Sequence, residues 1–486
     1  MSSIPEIYKG SNGLLVNGKV LFIIETKKVP SASDWLFQAA KSYGIGMDEC
    51  HILANNPDPS LHHLCHAYAA YFQSGFRDAS VLVIDGMNEV GGISIGIYRA
   101  TGDTIEEVRA YPMAYSLGSF YANGVALCGF GNVDYAGKLM GASSYSETVR
   151  DCPPFFLVDP HTGDVIECNG YFEPGGERVN FVGEELLGKI MGSPDIWPRK
   201  SFDFRSAITA ATVQHLFEQS VFSLLEYIHN ALPSRNLVLT GGCALNCVCN
   251  GKIMRSGMWD DLFIPNMCED QGNIIGRMVM ELGQKVTKPF LYNKVTYDVP
   301  KEFCHPISKE QLADRIRNGQ IVSWFEGGSE YGPRALCHRS ILANPTLRRT
   351  ANRVNEIKCR EYWRPLAPVV LDTHFSTFFD VDGRIWYPHK VMLATEYIRD
   401  KWQRKLPAVC APDNSSRPQV LTDNSYNHTL YTLMRDYDLP ILVNTSMNGA
   451  GEPICETPED AIRFSSRNDD VMLVFVKDDV IYAANQ

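Results

Sequence analysis

The sequence predicts an α/β fold built as more than one unit, and three observations carry that expectation. Through the first half, strand-like apolar runs alternate with glycine-rich turns and helical periodicity. At 486 residues the chain exceeds what one hydrophobic core supports, and the length alone suggests about three domains or subdomains. Between Tyr292 and Ile307 the pattern turns irregular around Pro289, Pro300 and Pro306, which places a boundary there and divides the chain into 1–298 and 299–486.

Each element follows from local pattern. Gly13 to Glu25 reads as two strands about an Asn17-Gly18 turn, a dipeptide suited to two-residue hairpins. His62 to Phe72 reads as a helix. Ala79 to Ile84 is a buried strand ending at Asp85-Gly86, with Gly91 to Arg99 as its partner. Ser206 to Ala231 has long helical periodicity, and the buried strand Asn236 to Thr240 feeds Gly241-Gly242. Beyond the boundary, Gln311 to Arg317 reads as a helix, and Ile321 to Phe325 and Leu439 to Val443 as strands. Internal repeats and low-complexity tracts are absent from the sequence.

Composition excludes several classes. A formal charge of −11 disfavours wrapping around nucleic acid or an anionic membrane, so neither is an expected partner. No run approaches the roughly 20 apolar residues that span a bilayer. Met1-Ser-Ser-Ile-Pro-Glu6 lacks the basic and apolar segments of a signal peptide. A cytoplasmic protein with its fourteen cysteines reduced is therefore expected, and the sequons at Asn414, Asn427 and Asn444 read as chance matches.

Against that acidic background, cations cluster. Tyr331-Gly-Pro-Arg-Ala-Leu-Cys-His-Arg-Ser-Ile-Leu-Ala-Asn344 carries Arg334 and Arg339, and Lys358, Arg360 and Arg364 follow closely. Basic runs are ordinarily solvated faces. Here Gly332-Pro333 and Trp363-Arg364-Pro365 fix the backbone beside the charges, which favours a seat for a small polyanion held by guanidinium forks.

Two further constellations carry chemistry. His62 and His66 stand at i, i+4, so a helix presents both imidazoles on one face, as metal-binding helices do. The glutamate of a zinc-protease motif is missing, and a third ligand must come from elsewhere. Asp270, in Pro265-Asn-Met-Cys-Glu-Asp-Gln-Gly272, is the candidate, its competing reading being the cap of a helix starting near Asn273. The second constellation is glycine-rich: Thr240-Gly-Gly-Cys-Ala-Leu-Asn246, Asp85-Gly86, and Gly137-Lys138-Leu-Met-Gly141. Such turns let backbone N–H groups approach phosphate, and together they suggest an ATP cleft, although none has Walker or Rossmann spacing. Zinc on Cys243, Cys247, Cys249 and Cys268 is a competing use of nearby thiols, but no CxxC pair is present.

In this order the motifs resemble the nodulation-factor and antibiotic O-carbamoyltransferases (NodU/CmcH type), which include the tobramycin and cephalosporin carbamoyltransferases. The matching segments are His62-His-Leu-Cys-His-Ala67, Val83-Ile-Asp-Gly86, Gly137-Lys-Leu-Met-Gly-Ala142, Gly241-Gly-Cys-Ala-Leu-Asn246 and Asp270-Gln-Gly272. They continue through Gly332-Pro-Arg-Ala-Leu336, Trp363-Arg-Pro-Leu-Ala-Pro368, Arg417-Pro-Gln419, Asn444-Thr-Ser-Met-Asn448 and Gly451-Glu-Pro-Ile454.

The resemblance implies an actin-like, sugar-kinase-type domain of two lobes over 1–298 and a YrdC-like α/β domain over 299–486. The second would join carbamoyl phosphate and ATP into carbamoyladenylate, with Mg²⁺. The first would pass the carbamoyl group to a hydroxyl of a small natural product, such as an antibiotic precursor, beside Fe(II), Zn or Mn. His62, His66 and Asp270 would ligate that metal, which would polarise the carbonyl and lower the pKa of the acceptor alcohol. Asp85, Lys138, Gly241, Gly242 and Asn246 would serve the nucleotide, with Asp85 alternatively only ending its strand. Arg334, Arg339, Arg364 and Arg417 would hold phosphates, with Arg334 neutralising charge as the anhydride forms. Asn444 and Ser446 would orient the carbamoyl amide or phosphate oxygens, while Lys358 and Arg360 would add only field. A homodimer is a reasonable expectation.

Several positions depart from the family pattern, and they leave the acceptor-binding geometry open. Glu6-Ile-Tyr-Lys-Gly-Ser-Asn-Gly13 lacks the family's His-Asp turn, the stretch before the histidine motif is short, Gly328 stands at a common arginine position, and Cys337 replaces a glycine. An unusual or small acceptor is expected, its identity and the choice of metal being open. Competing readings are a threonylcarbamoyl-type tRNA modifier, a sugar-kinase-like phosphotransferase and a nonenzymatic ligand-binding regulator.

Overall fold

A computed structural model describes residues 11–16, 19–25, 50–54, 59–86, 92–169, 204–232, 234–283, 286–293, 295–424 and 426–484. Strand β1 (Ser11–Val16) pairs antiparallel with both β2 (Lys19–Glu25) and β3 (Cys50–Ala54), so the expected hairpin is present. Its Asn17-Gly18 turn, the segment before Ser11 and Gly91 lie outside the described residues.

Helix α1 (His62–Ser74) is rich in alanine and stops at Gly75, which takes φ 74° and closes the last turn in the left-handed region. Strands β4 (Asp78–Ile84), β5 (Ile93–Thr101) and β6 (Thr104–Pro112) form an antiparallel meander. Helices α2 (Leu117–Leu127) and α3 (Ala136–Ser143) follow, then the β7 (Phe156–Val158) and β8 (Val165–Cys168) ribbon, and the 28-residue α4 (Phe204–Ala231). Strand β9 (Asn236–Thr240), helix α5 (Cys247–Arg255) and strand β10 (Asp261–Phe263) complete a sheet of order β10-β9-β4-β5-β6, with β4, β9 and β10 parallel. Helix α6 (Asn273–Leu282) packs on α1.

The unbroken apolar run of β4 follows from burial on both faces. Val81 and Val83 pack with Ala67, Ala70 and Tyr71 of α1, while Leu82 and Ile84 pack with Phe120 of α2 and Val213 of α4. One strand thus serves two cores through its period of two.

The second half repeats this logic on a larger sheet of order β11-β20-β19-β12-β13-β18-β14-β17. In chain order these are β11 (His305–Ile307), β12 (Ile321–Glu326), β13 (Arg339–Ala343), β14 (Ala367–Leu371), β17 (Gln419–Leu421), β18 (Ile441–Ser446), β19 (Val471–Lys477) and β20 (Val480–Ala483), with β15 (Glu396–Tyr397) and β16 (Ser415–Ser416) paired separately. Helix α7 (Lys309–Arg317) begins at Ser308, whose side chain forms a reciprocal capping box with Gln311. Helices α8 (Arg348–Ile357), α9 (His428–Asp436) and α10 (Pro458–Ser465) are the other helices of more than four residues described in this half. On β13, Ile341 and Ala343 face one core and Leu342 the other.

The two halves share packing. Leu336, Ala367 and Val391 to Ala394 join the core built by the first half. Trp363 stacks on Phe130 at 5.6 Å, and its carbonyl accepts the Tyr145 hydroxyl at 2.7 Å. Arg255 of α5 reaches buried Glu396 at 2.8 Å, which also pairs with His389 at 3.0 Å. No helix among the described residues is long and apolar enough to cross a membrane.

Candidate active site

Parallel strands β4, β9 and β10 deliver their carboxyl ends to one edge of the sheet, the edge at which α/β folds commonly bind ligands. Asp85 follows β4, Gly241-Gly242 follows β9, and the segment after β10 runs to Asp270. Helix α1 starts on the same edge and turns both imidazoles toward it. The Nε2 atom of His62 lies 2.9 Å from Asp85 Oδ2 and 3.4 Å from Asp270 Oδ1. The corresponding distances from His66 Nε2 are 3.6 and 3.4 Å. Asn273 at the start of α6 stands beside them, its Nδ2 3.2 Å from His66 Nε2.

This donor set fits a divalent metal. One ligand atom from each of His62, His66, Asp85 and Asp270 lies within 4.8 Å of the others, the one such group found among the described residues. Two imidazoles and two carboxylates suit Fe(II), Zn or Mn. His66 and Asp85 are buried, whereas the Asp270 side chain is 53% exposed, so the cluster opens to solvent on that side. Burial opposes charge on His62, but hydrogen bonds with Asp270 and Asp85 outweigh it and raise its pKa to about 10. The carboxylates thus create a field that favours a cation at this point.

Asp85 does more than end its strand. Its Oδ2 faces the histidines while Oδ1 accepts the Gly242 N–H at 3.1 Å. Gly241 takes φ 91°, and a Cβ there would overlap the Ile84 carbonyl. Its N–H donates to the Cys268 carbonyl at 2.9 Å, tying the β9 turn to the Asp270 loop. The capping alternative for Asp270 does not hold: a 3₁₀ turn, Asp270–Gly272, leads into α6, and no side chain caps either element. Cys243, Cys247, Cys249 and Cys268 form no such metal-ligand group among the described residues.

The basic residues meet elsewhere. A cavity of about 1490 Å³ lies between the halves, lined by Tyr135, Lys138, Gly141 and Cys247 from one and by Arg334, Lys358, Arg360, Arg364, Arg417, Asn444 and Ser446 from the other. Single-ligand pockets run about 300–1,000 Å³, so this one has room for two substrates. Arg334 Nε, Arg360 Nη2 and Arg417 Nε are buried donors without a partner. Burial and then repulsion by Arg417 lower Arg334 to about 10; burial, Arg364 and Arg417 lower Arg360 to about 9. Crowded cations with spare donors define a seat for anionic oxygens. Lys138 pairs with Glu361 at 2.6 Å across the two halves and lies over the Tyr135 ring.

Four expected site residues have other placements. Arg339 is fully buried and off the cavity: its guanidinium donates to the carbonyls of Glu326 (2.8 Å), Gly327 (2.9 Å) and Glu456 (3.1 Å) and lies over Phe325. The expectation that it holds phosphate is corrected, because its donors are spent on backbone. Asn246 caps α5, accepting the Cys249 N–H, and exchanges amide hydrogen bonds with Gln214, so it too is withheld from the cavity. Gly241 and Gly242 stand at the metal cluster rather than at the cavity wall.

Lys358 is more than background field. It is buried, and its Nζ donates to the Ser446 carbonyl (2.6 Å), Ser446 Oγ (3.0 Å) and Asn448 Oδ1 (2.7 Å). Burial, then Arg360 and Arg364, hold its pKa well below the usual lysine range. Its place in the Lys358-Cys-Arg360 run was the available signal. Asn448 closes the Asn444-Thr-Ser-Met-Asn448 segment of the resemblance, whereas Asn273 carried no signal, since isolated asparagines at helix starts are common.

Comparison with known proteins now bears on this geometry. A sequence model described as the carbamoyltransferase N-terminus matches residues 47–279, and one described as the carbamoyltransferase C-terminus matches 313–482. The nodulation protein NolO of Bradyrhizobium diazoefficiens is 30% identical over 430 residues, covering 82% of this chain and 75% of that protein. The chain belongs to the carbamoyltransferase family. Nodulation protein NolNO of Sinorhizobium fredii is also 30% identical, over 82% of this family member but 60% of its own length. This carbamoyltransferase-family chain therefore spans three quarters or less of those two relatives. Among solved structures, HypF in its phosphate- and nucleotide-bound form covers 46% of this chain and 42% of its own, at 15% identity and TM-score 0.25, a likeness too distant to bear on the fold.

Within the family, two departures gain a physical description. A Cβ at Gly328 would overlap the Asn293 carbonyl, so this backbone has no room for the arginine common there. Cys337 takes φ 75°, the left-handed conformation that suits the family's glycine.

Proposed function

We propose that this chain is an ATP-dependent O-carbamoyltransferase. Carbamoyl phosphate, ATP and one water give carbamoyladenylate, phosphate and pyrophosphate, and the carbamoyl group then passes to a hydroxyl of a small natural product. The cation-lined cavity, with its unpartnered guanidinium donors, is the observation that carries this reading. Its volume and charge suit two phosphorylated substrates side by side. Arg334, Arg360, Arg364 and Arg417 would neutralise the phosphates as they approach, and Lys358 would hold the Ser446 to Asn448 loop against them.

Arg334 links this cavity to the second site, because its electrostatic neighbours include both Arg417 and Glu269, the residue before Asp270. Fe(II), Zn or Mn on His62, His66, Asp85 and Asp270 would supply Lewis-acid polarisation of the carbonyl. The protein's part there is to hold two imidazoles and two carboxylates in place, with Gly242 N–H orienting Asp85. Residues 1–298 would form the actin-like transfer domain and 299–486 the YrdC-like adenylating domain. The order β6-β5-β4-β9-β10, a meander extended by two parallel strands, supports the first assignment.

Incubation with carbamoyl phosphate, ATP and Mg²⁺, followed by mass spectrometry, tests the reading without an acceptor. AMP, pyrophosphate and carbamoyladenylate, each requiring carbamoyl phosphate, are expected. ADP alone would instead make the chain a phosphotransferase.

A further inference from the structure

Asn273 opens α6, the helix packed on α1, and only 1% of its surface is exposed. Gly276, three residues on and on the same face, is the residue that meets the Cys65 carbonyl of α1. This face of α6 is thus pressed onto the histidine helix. An asparagine at a helix start ordinarily spends its side-chain oxygen on a backbone N–H. This one does not. No side chain caps the 3₁₀ turn or α6, and Asn273 Oδ1 is buried without a partner.

The nitrogen end of the amide meets the histidines. Nδ2 stands 3.2 Å from His66 Nε2 and 3.5 Å from His62 Nδ1. Both imidazoles turn Nε2 to the carboxylates of Asp85 and Asp270, at distances from 2.9 to 3.6 Å. Nε2 is therefore the ligand atom each ring offers.

A neutral histidine that gives its Nε2 lone pair to a metal keeps its proton on Nδ1. The Nδ1–H of His62 then faces the Asn273 amide, and donor would meet donor, because Nδ2 carries only N–H bonds. A half-turn of the amide exchanges Nδ2 for Oδ1 and removes the conflict. It breaks no hydrogen bond of Oδ1, which has none. The Nδ2 contact with His66 Nε2 is surrendered in any case once that lone pair is committed to a metal.

We propose that Asn273 is a positioning residue for the metal site: its Oδ1 accepts from His62 Nδ1–H and fixes the tautomer and ring plane in which His62 presents Nε2. The inference rests on the metal reading of His62, His66, Asp85 and Asp270 above. An outer partner of this kind orients the ring and raises its basicity, and losing one typically lowers metal affinity by about 10- to 100-fold. Leucine has nearly the shape of asparagine and no acceptor, so it separates the hydrogen bond from the packing. Aspartate keeps the acceptor.

The test titrates Co²⁺, a spectroscopic stand-in for Fe(II) or Zn, into the full chain stripped of metal, against a chelator of known affinity. Asn273→Leu should weaken binding by about 10- to 100-fold. Its visible Co²⁺ bands should keep their intensity, because the ligand atoms are unchanged. Asn273→Asp should bind at least as tightly as the unaltered chain. The proton NMR spectrum of the Co²⁺ form should show paramagnetically shifted, exchangeable N–H signals from His62 and His66. Asn273→Asp should retain both, and Asn273→Leu should lose one to solvent exchange.

Melting temperatures of the stripped proteins report folding, and Asn273→Ala set against Asn273→Asp carries the comparison if the leucine variant is unstable. Unchanged Co²⁺ affinity in Asn273→Leu would overturn the inference, as would equal weakening in the leucine and aspartate variants. A jump in band intensity in Asn273→Leu would make Asn273 a ligand in its own right and overturn the positioning role. If the unaltered chain itself binds no Co²⁺, the metal reading beneath falls as well, a result distinguishable from equal binding by the unaltered and leucine chains.

Discussion

Arg334 and Arg339 stand five residues apart in one motif and meet opposite surroundings. Arg334 keeps an unpartnered Nε at the cavity, whereas Arg339 donates to four backbone carbonyls in the core. Arg334→Ala is therefore expected to cut carbamoyl-phosphate-dependent pyrophosphate release by about 100-fold or more, with little change in melting temperature. Arg339→Ala should instead destabilise the fold by about 3 kcal/mol, measured by urea unfolding, because buried carbonyls lose their donors. The sequence could not separate the two, since both occupy a basic run beside a Gly-Pro turn. Glu326 is a further case of burial deciding chemistry: desolvation outweighs the Trp324 hydrogen bond and raises its carboxyl to about 8. The folded state thus binds a proton that the unfolded chain releases near the ordinary glutamate pKa of about 4.3. Its stabilising contribution is complete below that value and is lost as pH rises through about 8. Thermal unfolding of Glu326→Gln between pH 5 and 8 should show a flatter profile than the unaltered chain.

At the level of elements, the candidate metal-ligand group depends on how closely α1 and α6 approach. A Cβ at Gly276 of α6 would overlap the Cys65 carbonyl of α1, so glycine sets the spacing that brings Asp270 and Asn273 to His62 and His66. Gly276→Ala should cost about 1–3 kcal/mol through overpacking and lower bound metal, read by elemental analysis of the purified protein. His66→Ala and Asp85→Ala should lose metal outright while keeping their circular dichroism spectra. The histidine spacing was legible because i, i+4 residues share a helix face whatever the tertiary context. The placement of Asp85 as a fourth candidate ligand was not, because it follows from β4, β9 and β10 being parallel neighbours, a pairing absent from any local pattern. Strand β4 and helix α4 were equally readable, their apolar periodicities being long; the eight-stranded order was not, since crossovers leave no periodic trace.

Across the whole molecule, the halves are held by shared core and by polar ties that include Arg255, Glu396 and His389. Arg255→Ala would leave Glu396 buried with the His389 ring as its remaining hydrogen-bond partner. A loss of about 3 kcal/mol is expected, measured by denaturant unfolding. Because the cavity wall comes from both sides of that interface, the variant should also weaken ATP-dependent turnover, although Arg255 does not line the cavity. The amino-acid sequence by itself determined the α/β character, the hairpin, the principal helices and strands, the histidine pair and the existence of a cationic cluster. Each of these is fixed by spacing or composition over a short span. Tertiary structure alone decided which cations face the cavity, that Asn246 and Arg339 are committed to the fold, and that Asp85 joins His62, His66 and Asp270 in the candidate ligand group. The physical reason is that burial, hydrogen-bond commitment and strand adjacency are properties of contacts distant in sequence, and the free energy of a charged side chain depends on those contacts more than on its neighbours along the chain.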